Sequence, residues 1–127
     1  MSIEKILSSA PVVPVVVIEK LEDAAPLARA LYNGGLKALE ITLRTPIAAE
    51  AVKLMKEAVP EAYVGTGTVV DKATFNASVE AGADFMVSPG VNAIRFLTRR
   101  HVILPSVIKS LSVSCMKISS VRGMPSK

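Results

Sequence analysis

Residues 12–18, VVPVVVI, are almost all apolar and mostly β-branched, which predicts a strand covered on both faces. The segment that follows, LEDAAPLARALYNGG, switches to apolar positions at helical spacing and stops at Gly34 and Gly35. KALEITL predicts a second strand, and PIAAEAVKLMKEAVP a second helix with Pro46 near its first turn. EAYVGTGTV holds a third strand, KATFNASVEAG a third helix ending at Gly82, and DFMVSPG a fourth strand.

The strand–turn–helix unit recurs about every 20 to 25 residues up to about residue 93, a spacing that implies parallel βαβ connections. Two architectures fit: an open doubly wound sheet and a closed (β/α)8 barrel. The stretch LEITLR separates them. Strand side chains alternate, so Leu39, Ile41 and Leu43 point one way while Glu40, Thr42 and Arg44 form a polar row on the other face. A barrel has a use for such a row, because its second strand face lines the interior and its chemistry sits at the C-terminal strand ends. The expected fold class is α/β, of the (β/α)8 barrel kind, with about the first four βα units present. A whole barrel takes about 200 residues or more, and this sequence has 127. Four units alone leave two raw sheet edges and an uncovered inner face, with Glu40 and Arg44 turned to water or to a second copy.

Composition refines this. Half the residues are hydrophobic but only 4% are aromatic and none is Trp, which makes an aliphatic core. The single cysteine, Cys115, excludes an internal disulfide and suits a reducing compartment. No run approaches the roughly 18 apolar residues of a membrane span, and PVVPVVVI makes a poor signal peptide. A cytoplasmic protein with no membrane partner is expected. The net charge of +4 is unevenly spread: residues 1–93 carry −3, and residues 94–127 carry +7 with no acid at all. All 16 alanines lie in the first part, while the second holds seven serines, the only His and the only Cys. The division expected is a first part, 1–93, and a basic Ser-rich tail, 94–127. That tail has one aromatic, Phe96, and no clear helical face, so no nucleic-acid partner is expected.

Glu40 admits two readings. It could form a structural ion pair with Arg44 or a neighbouring strand, or act as a general acid/base whose burial lifts its pKa towards neutrality. Arg44, at the strand end, could receive a carboxylate or phosphate in a forked contact, or simply face the surface. In GTGTV (65–69) the glycines would let a ligand approach the backbone, and Thr66 and Thr68 offer hydroxyls on one face. The third glycine of a dinucleotide fingerprint is absent. Pro89 and Gly90 in SPG mark the fourth strand end. His101 and Cys115 share no spacing that suggests a metal site or a nucleophile pair.

The order VVPVVVI…GGLKALEITLRTPIAAEAV…VPEAYVGTGTV…AGADFMVSPG closely resembles the 2-keto-3-deoxy-6-phosphogluconate (KDPG) aldolase family, which includes 4-hydroxy-2-oxoglutarate aldolase activity, from about Ile6 to Asn92 in one register. The resemblance implies a (β/α)8 barrel, homotrimeric and cytoplasmic, that cleaves a 2-keto acid through a lysine Schiff base without metal or cofactor. The products would be pyruvate and glyceraldehyde 3-phosphate, or pyruvate and glyoxylate from 4-hydroxy-2-oxoglutarate. It further implies that Glu40 shuttles protons, that Arg44 lies near the substrate carboxylate or phosphate, that Thr68 lines the pyruvate pocket and that Pro89 forms its wall.

The same resemblance calls for an imine-forming lysine on a sixth strand, in a stretch like KFFPAE, and none occurs here. Lys109 and Lys117 stand in no matching context. Loss of alanine and acids together with gain of serine and arginine is what a change of reading frame produces. The expectation is the N-terminal half of an aldolase barrel, followed by a frame-shifted or truncated tail, inactive alone. A non-catalytic half-barrel that binds or assembles with another chain is the alternative.

Overall fold

The computed structural model describes residues 3–9, 12–88, 102–103 and 114–118. Four strands alternate with helices: β1 (Val12–Val16), a 3-10 turn (Leu21–Asp23) leading into α2 (Ala24–Asn33), β2 (Ala38–Thr42), α3 (Ala48–Ala58), β3 (Tyr63–Gly67), α4 (Lys72–Glu80) and β4 (Met86–Val87). A short helix, α1 (Ile3–Ser8), precedes them, and two strands, β5 (Val102–Ile103) and β6 (Ser114–Ile118), come from beyond residue 93. The sheet is parallel throughout, in the order β5-β4-β3-β2-β1-β6. Strands β1 to β5 lie side by side in chain order, with none of the reversal that defines a doubly wound sheet.

The helices gather on one face. Leu27 and Ala28 of α2 and Ala51, Val52 and Met55 of α3 pack onto Val16, Leu39, Ile41 and Val64 in one buried cluster. The opposite face is closed at its lower end, near the strand N-termini, by Ile6 of α1 with Val13, Ala38 and Phe85. All five residues of β2 are therefore buried. Both faces of this strand are interior, so the expectation of an uncovered polar row fails at Glu40, which is 5% exposed, and at Thr42.

Several ends differ from the sequence pattern for local reasons. α2 and α4 close alike: Gly35 (φ 97°) and Gly82 (φ 76°) turn the chain out, and the next N–H reaches back to the Leu31 and Ser78 carbonyls respectively. α3 begins at Ala48, past Pro46, because the Thr45 hydroxyl is spent on the Ile18 carbonyl (2.8 Å) and does not cap the helix. α4 opens with a capping box in which Asp71 and Thr74 satisfy each other's backbone N–H. β4 is two residues long, and at its entry Asp84 meets Val64 twice: its N–H donates to the Val64 carbonyl (2.8 Å) and its Oδ2 accepts the Val64 N–H (2.9 Å), while Oδ1 accepts Lys56 Nζ (2.7 Å).

The two Asp84 contacts are unequal. Removing the carboxylate orphans a partly buried backbone N–H, which costs about 1–3 kcal/mol, whereas an ion pair that still reaches solvent is worth about 1 kcal/mol. Urea unfolding should show Asp84→Ala lowering stability clearly more than Lys56→Ala. Equal losses would mean that the ion pair, and not the Val64 bond, holds the entry to β4.

Candidate active site

Glu40 is the centre of β2 and belongs to the face away from the helices. Parallel register sets it beside Val15 of β1 and Gly65 of β3. Its side chain runs up β3 towards the C-terminal strand ends and lies over Gly67: a Cβ at residue 67 would sit 3.1 Å from Glu40 Cγ and 2.9 Å from Cδ, with Oε1 closer still. Among the described residues no hydrogen bond or ion pair reaches the carboxylate. Burial without a partner penalises the charged form and pushes its pKa up to about 7. Of the two readings of Glu40, the structural ion pair does not form among the described residues, and the carboxyl is desolvated as the acid/base reading requires.

The neighbours fill defined roles. Thr42, next on this face, donates its hydroxyl to the Val16 carbonyl (3.3 Å) and ties β2 to β1. The GTG glycines make room for side chains of the protein itself. Gly65 accommodates Phe85, whose ring atom Cγ would lie 2.6 Å from a Cβ there, and Gly67 accommodates Glu40. The expected pairing of the Thr66 and Thr68 hydroxyls on one face does not form. Thr66 is wholly buried and donates to Ser78 Oγ (2.7 Å), which in turn donates to the Thr74 carbonyl (2.8 Å) in α4. The strand stops at Gly67, and Thr68 follows at φ 60°, half-buried. A β-branched residue seldom adopts that left-handed conformation, and such strain gathers where a binding site needs it.

Arg44 stands in the turn beyond β2, exposed, at the same end of the sheet as Thr68. Its place in the alternating row is lost because the strand ends two residues earlier. Pro89 lies outside the described residues. Arg44 and Thr68 thus stand beyond the C-terminal ends of neighbouring strands, and the Glu40 side chain reaches towards that end from mid-strand. Sequence reasoning missed Gly67 and Phe85 as partners of the site; register alone could have paired Glu40 with the glycines of β3.

An imine-forming amine needs burial or a nearby cation to lose its proton near neutrality. Among the lysines with described side chains, Lys5, Lys20, Lys37, Lys53 and Lys72 are exposed, and Lys56 is committed to Asp84. None is buried. In β6, register sets Lys117 beside Val15, hence in one backbone row with Glu40 and Gly65. Among the described residues no group of three His, Cys, Asp or Glu could hold a metal ion, and no helix is long and apolar enough to cross a membrane.

The sequentially ordered parallel sheet with its helices has counterparts among known proteins. A 2-dehydro-3-deoxy-phosphogluconate aldolase of Zymomonas mobilis is 46% identical over 114 residues, covering 87% of this chain and 54% of that protein. A KHG/KDPG aldolase of Escherichia coli K12 is 50% identical over 90 residues, covering 71% of this chain and 42% of that protein. The crystal structure of the Legionella pneumophila KDPG aldolase, with pyruvate captured as a covalent carbinolamine intermediate, superposes with a TM-score of 0.74 at 40% identity, over 80% of this chain and 51% of that one. The chain spans about half the length of the curated relatives it matches. The likeness passes residue 93: the family described as KDPG and KHG aldolase matches residues 3–116, and on that match the chain belongs to it.

Proposed function

We propose that this chain supplies the proton-transfer portion of a class I aldolase, cleaving 2-keto-3-deoxy-6-phosphogluconate to pyruvate and glyceraldehyde 3-phosphate, and 4-hydroxy-2-oxoglutarate to pyruvate and glyoxylate. The observation that carries this reading is Glu40, buried without a partner and with its pKa near 7. Schiff-base chemistry needs a group that both gives and takes protons at the carbinol and hydroxyl oxygens, and a carboxyl with a pKa near the working pH does both. The Legionella relative, which holds pyruvate as a carbinolamine, supports the keto-acid half of the substrate. Arg44 would meet the substrate's carboxylate or phosphate and Thr68 would line the pyruvate pocket, with Pro89 at its wall. On the same reading the working protein is a cytoplasmic homotrimer.

The imine lysine is the missing part. Residues 1–93 would form the N-terminal half of the barrel, and residues 94–127, of which the family match takes in those up to 116, a basic Ser-rich tail without the KFFPAE-like stretch. The chain by itself is then inactive. Borohydride reduction of the 127-residue chain with pyruvate should leave its intact mass unchanged. A stoichiometric adduct on any lysine, and on Lys117 first because of its row, would overturn the inactive reading.

Glu40 makes a pH prediction of definite sign. Its folded pKa lies above its unfolded value of 4.5, so the folded state holds the proton more tightly. The stability it contributes is full below about pH 4.5 and is lost as pH rises through about 7. At about 1.4 kcal/mol per unit the change is on the order of 3 kcal/mol. Denaturant midpoints measured across this window should fall for the native chain relative to Glu40→Gln. Parallel curves would mean that the carboxyl is solvated.

Strain at Thr68 makes another. Glycine removes a left-handed penalty of about 1–2 kcal/mol and loses about 0.5–1 kcal/mol in chain entropy. Thr68→Gly should therefore melt at the same temperature or slightly higher, and a marked fall would show that the side chain is a structural anchor.

A further inference from the structure

Gly67 is the last residue of β3, and its backbone cannot move aside. Its carbonyl accepts the Leu43 N–H (3.0 Å) from the β2 side. On the β4 side, Thr66 N–H bonds the Phe85 carbonyl (3.0 Å) and Val69 N–H bonds the Val87 carbonyl (3.2 Å). The three atoms nearest to a Cβ built at residue 67 all belong to Glu40: Oε1, Cδ and Cγ. The space that a side chain would need is therefore filled by the carboxylate arm and by nothing closer. Gly65, two residues below, differs. Its space is filled by Phe85, part of the apolar floor with Ile6, Val13 and Ala38.

We propose that Gly67 is a positioning residue for Glu40, its missing side chain letting the carboxylate lie back along β3 in the protected seat from which it exchanges protons. The inference rests on the proposed role of Glu40 and adds the residue that fixes where its proton is held. Any side chain at 67 must displace the carboxylate, because the backbone is clamped on both sides and the Glu40 arm is the flexible partner. The displaced group swings off the strand towards the open strand ends and regains water, and its pKa falls towards that of an ordinary carboxylate. The fold is spared, since the end of a long side chain yields at small cost.

The test is carried out on the full 127-residue chain. Glutamate carboxyls are labelled with carbon-13 and titrated by NMR, with Glu40→Gln assigning the resonance. The native chain should show a Glu40 midpoint near 7. Gly67→Ala should lower it by at least about one unit, a tenfold change in proton affinity, while the cooperative melt is retained. A midpoint unchanged by Gly67→Ala would overturn the proposal. A double-mutant cycle covers the case in which the single variant folds poorly. Gly67→Ala should be better tolerated, by melting temperature, in a Glu40→Ala background than in the native one, and equal shifts in both would overturn it. Neither measurement involves turnover, so a failure of the aldolase reading leaves both informative about Gly67.

Discussion

A carboxylate taken out of water must find a partner or take up a proton more readily, and burial lifts the pKa of Glu40 to about 7. That condition requires both faces of β2 to be shut. The helix-side cluster around Leu39 and Ile41 anchors the strand, and on the other side Ala38 joins an apolar floor. Parallel pairing to β1 and β3 then leaves the carboxylate arm one clear path, up over a glycine. The raised proton affinity at this end of the sheet depends on packing at the other.

The strand β3 serves two masters with one short motif. Tyr63, Gly65 and Gly67 share the inner face by alternation, while Val64 and Thr66 face the helices. Each glycine yields its volume to a side chain from a neighbouring strand or its approach, an aromatic ring below and an acid above. Thr66 is held by Ser78 beneath α4, which fixes the height of that helix against the strand. Only at Thr68 does the chain leave its ladder, and it does so under backbone strain.

Much of this was legible in the sequence, and what was not had physical reasons. Strong periodicity placed β1 to β3 and the three long helices, and Gly35 and Gly82 marked their ends because only a left-handed residue closes a helix in that way. Alternation in LEITLR set Glu40 on the face away from Leu39 and Ile41 but could not say that this face is covered, since its apolar floor comes from α1 and Phe85, far away in the chain. The α1 helix was missed because a six-residue segment carries too little periodicity to register. β5 and β6 went unread because their basic, serine-rich surroundings show no alternation, while β6 owes its place to pairing with β1. Glycines in GTG suggested a ligand's approach; which side chain takes the space is a tertiary fact that composition does not carry.

Ile6 of α1 is fully buried and seals the lower end of the inner face against Val13, Ala38 and Phe85. Ile6 is thus part of the apolar floor on the face that carries Glu40. An affinity tag or fusion partner joined ahead of Ile3 that disturbed this seal would let water in below the acid, from the end opposite the strand C-termini. Two preparations of this protein that differ only in their leading residues would then report different proton affinities for the same glutamate.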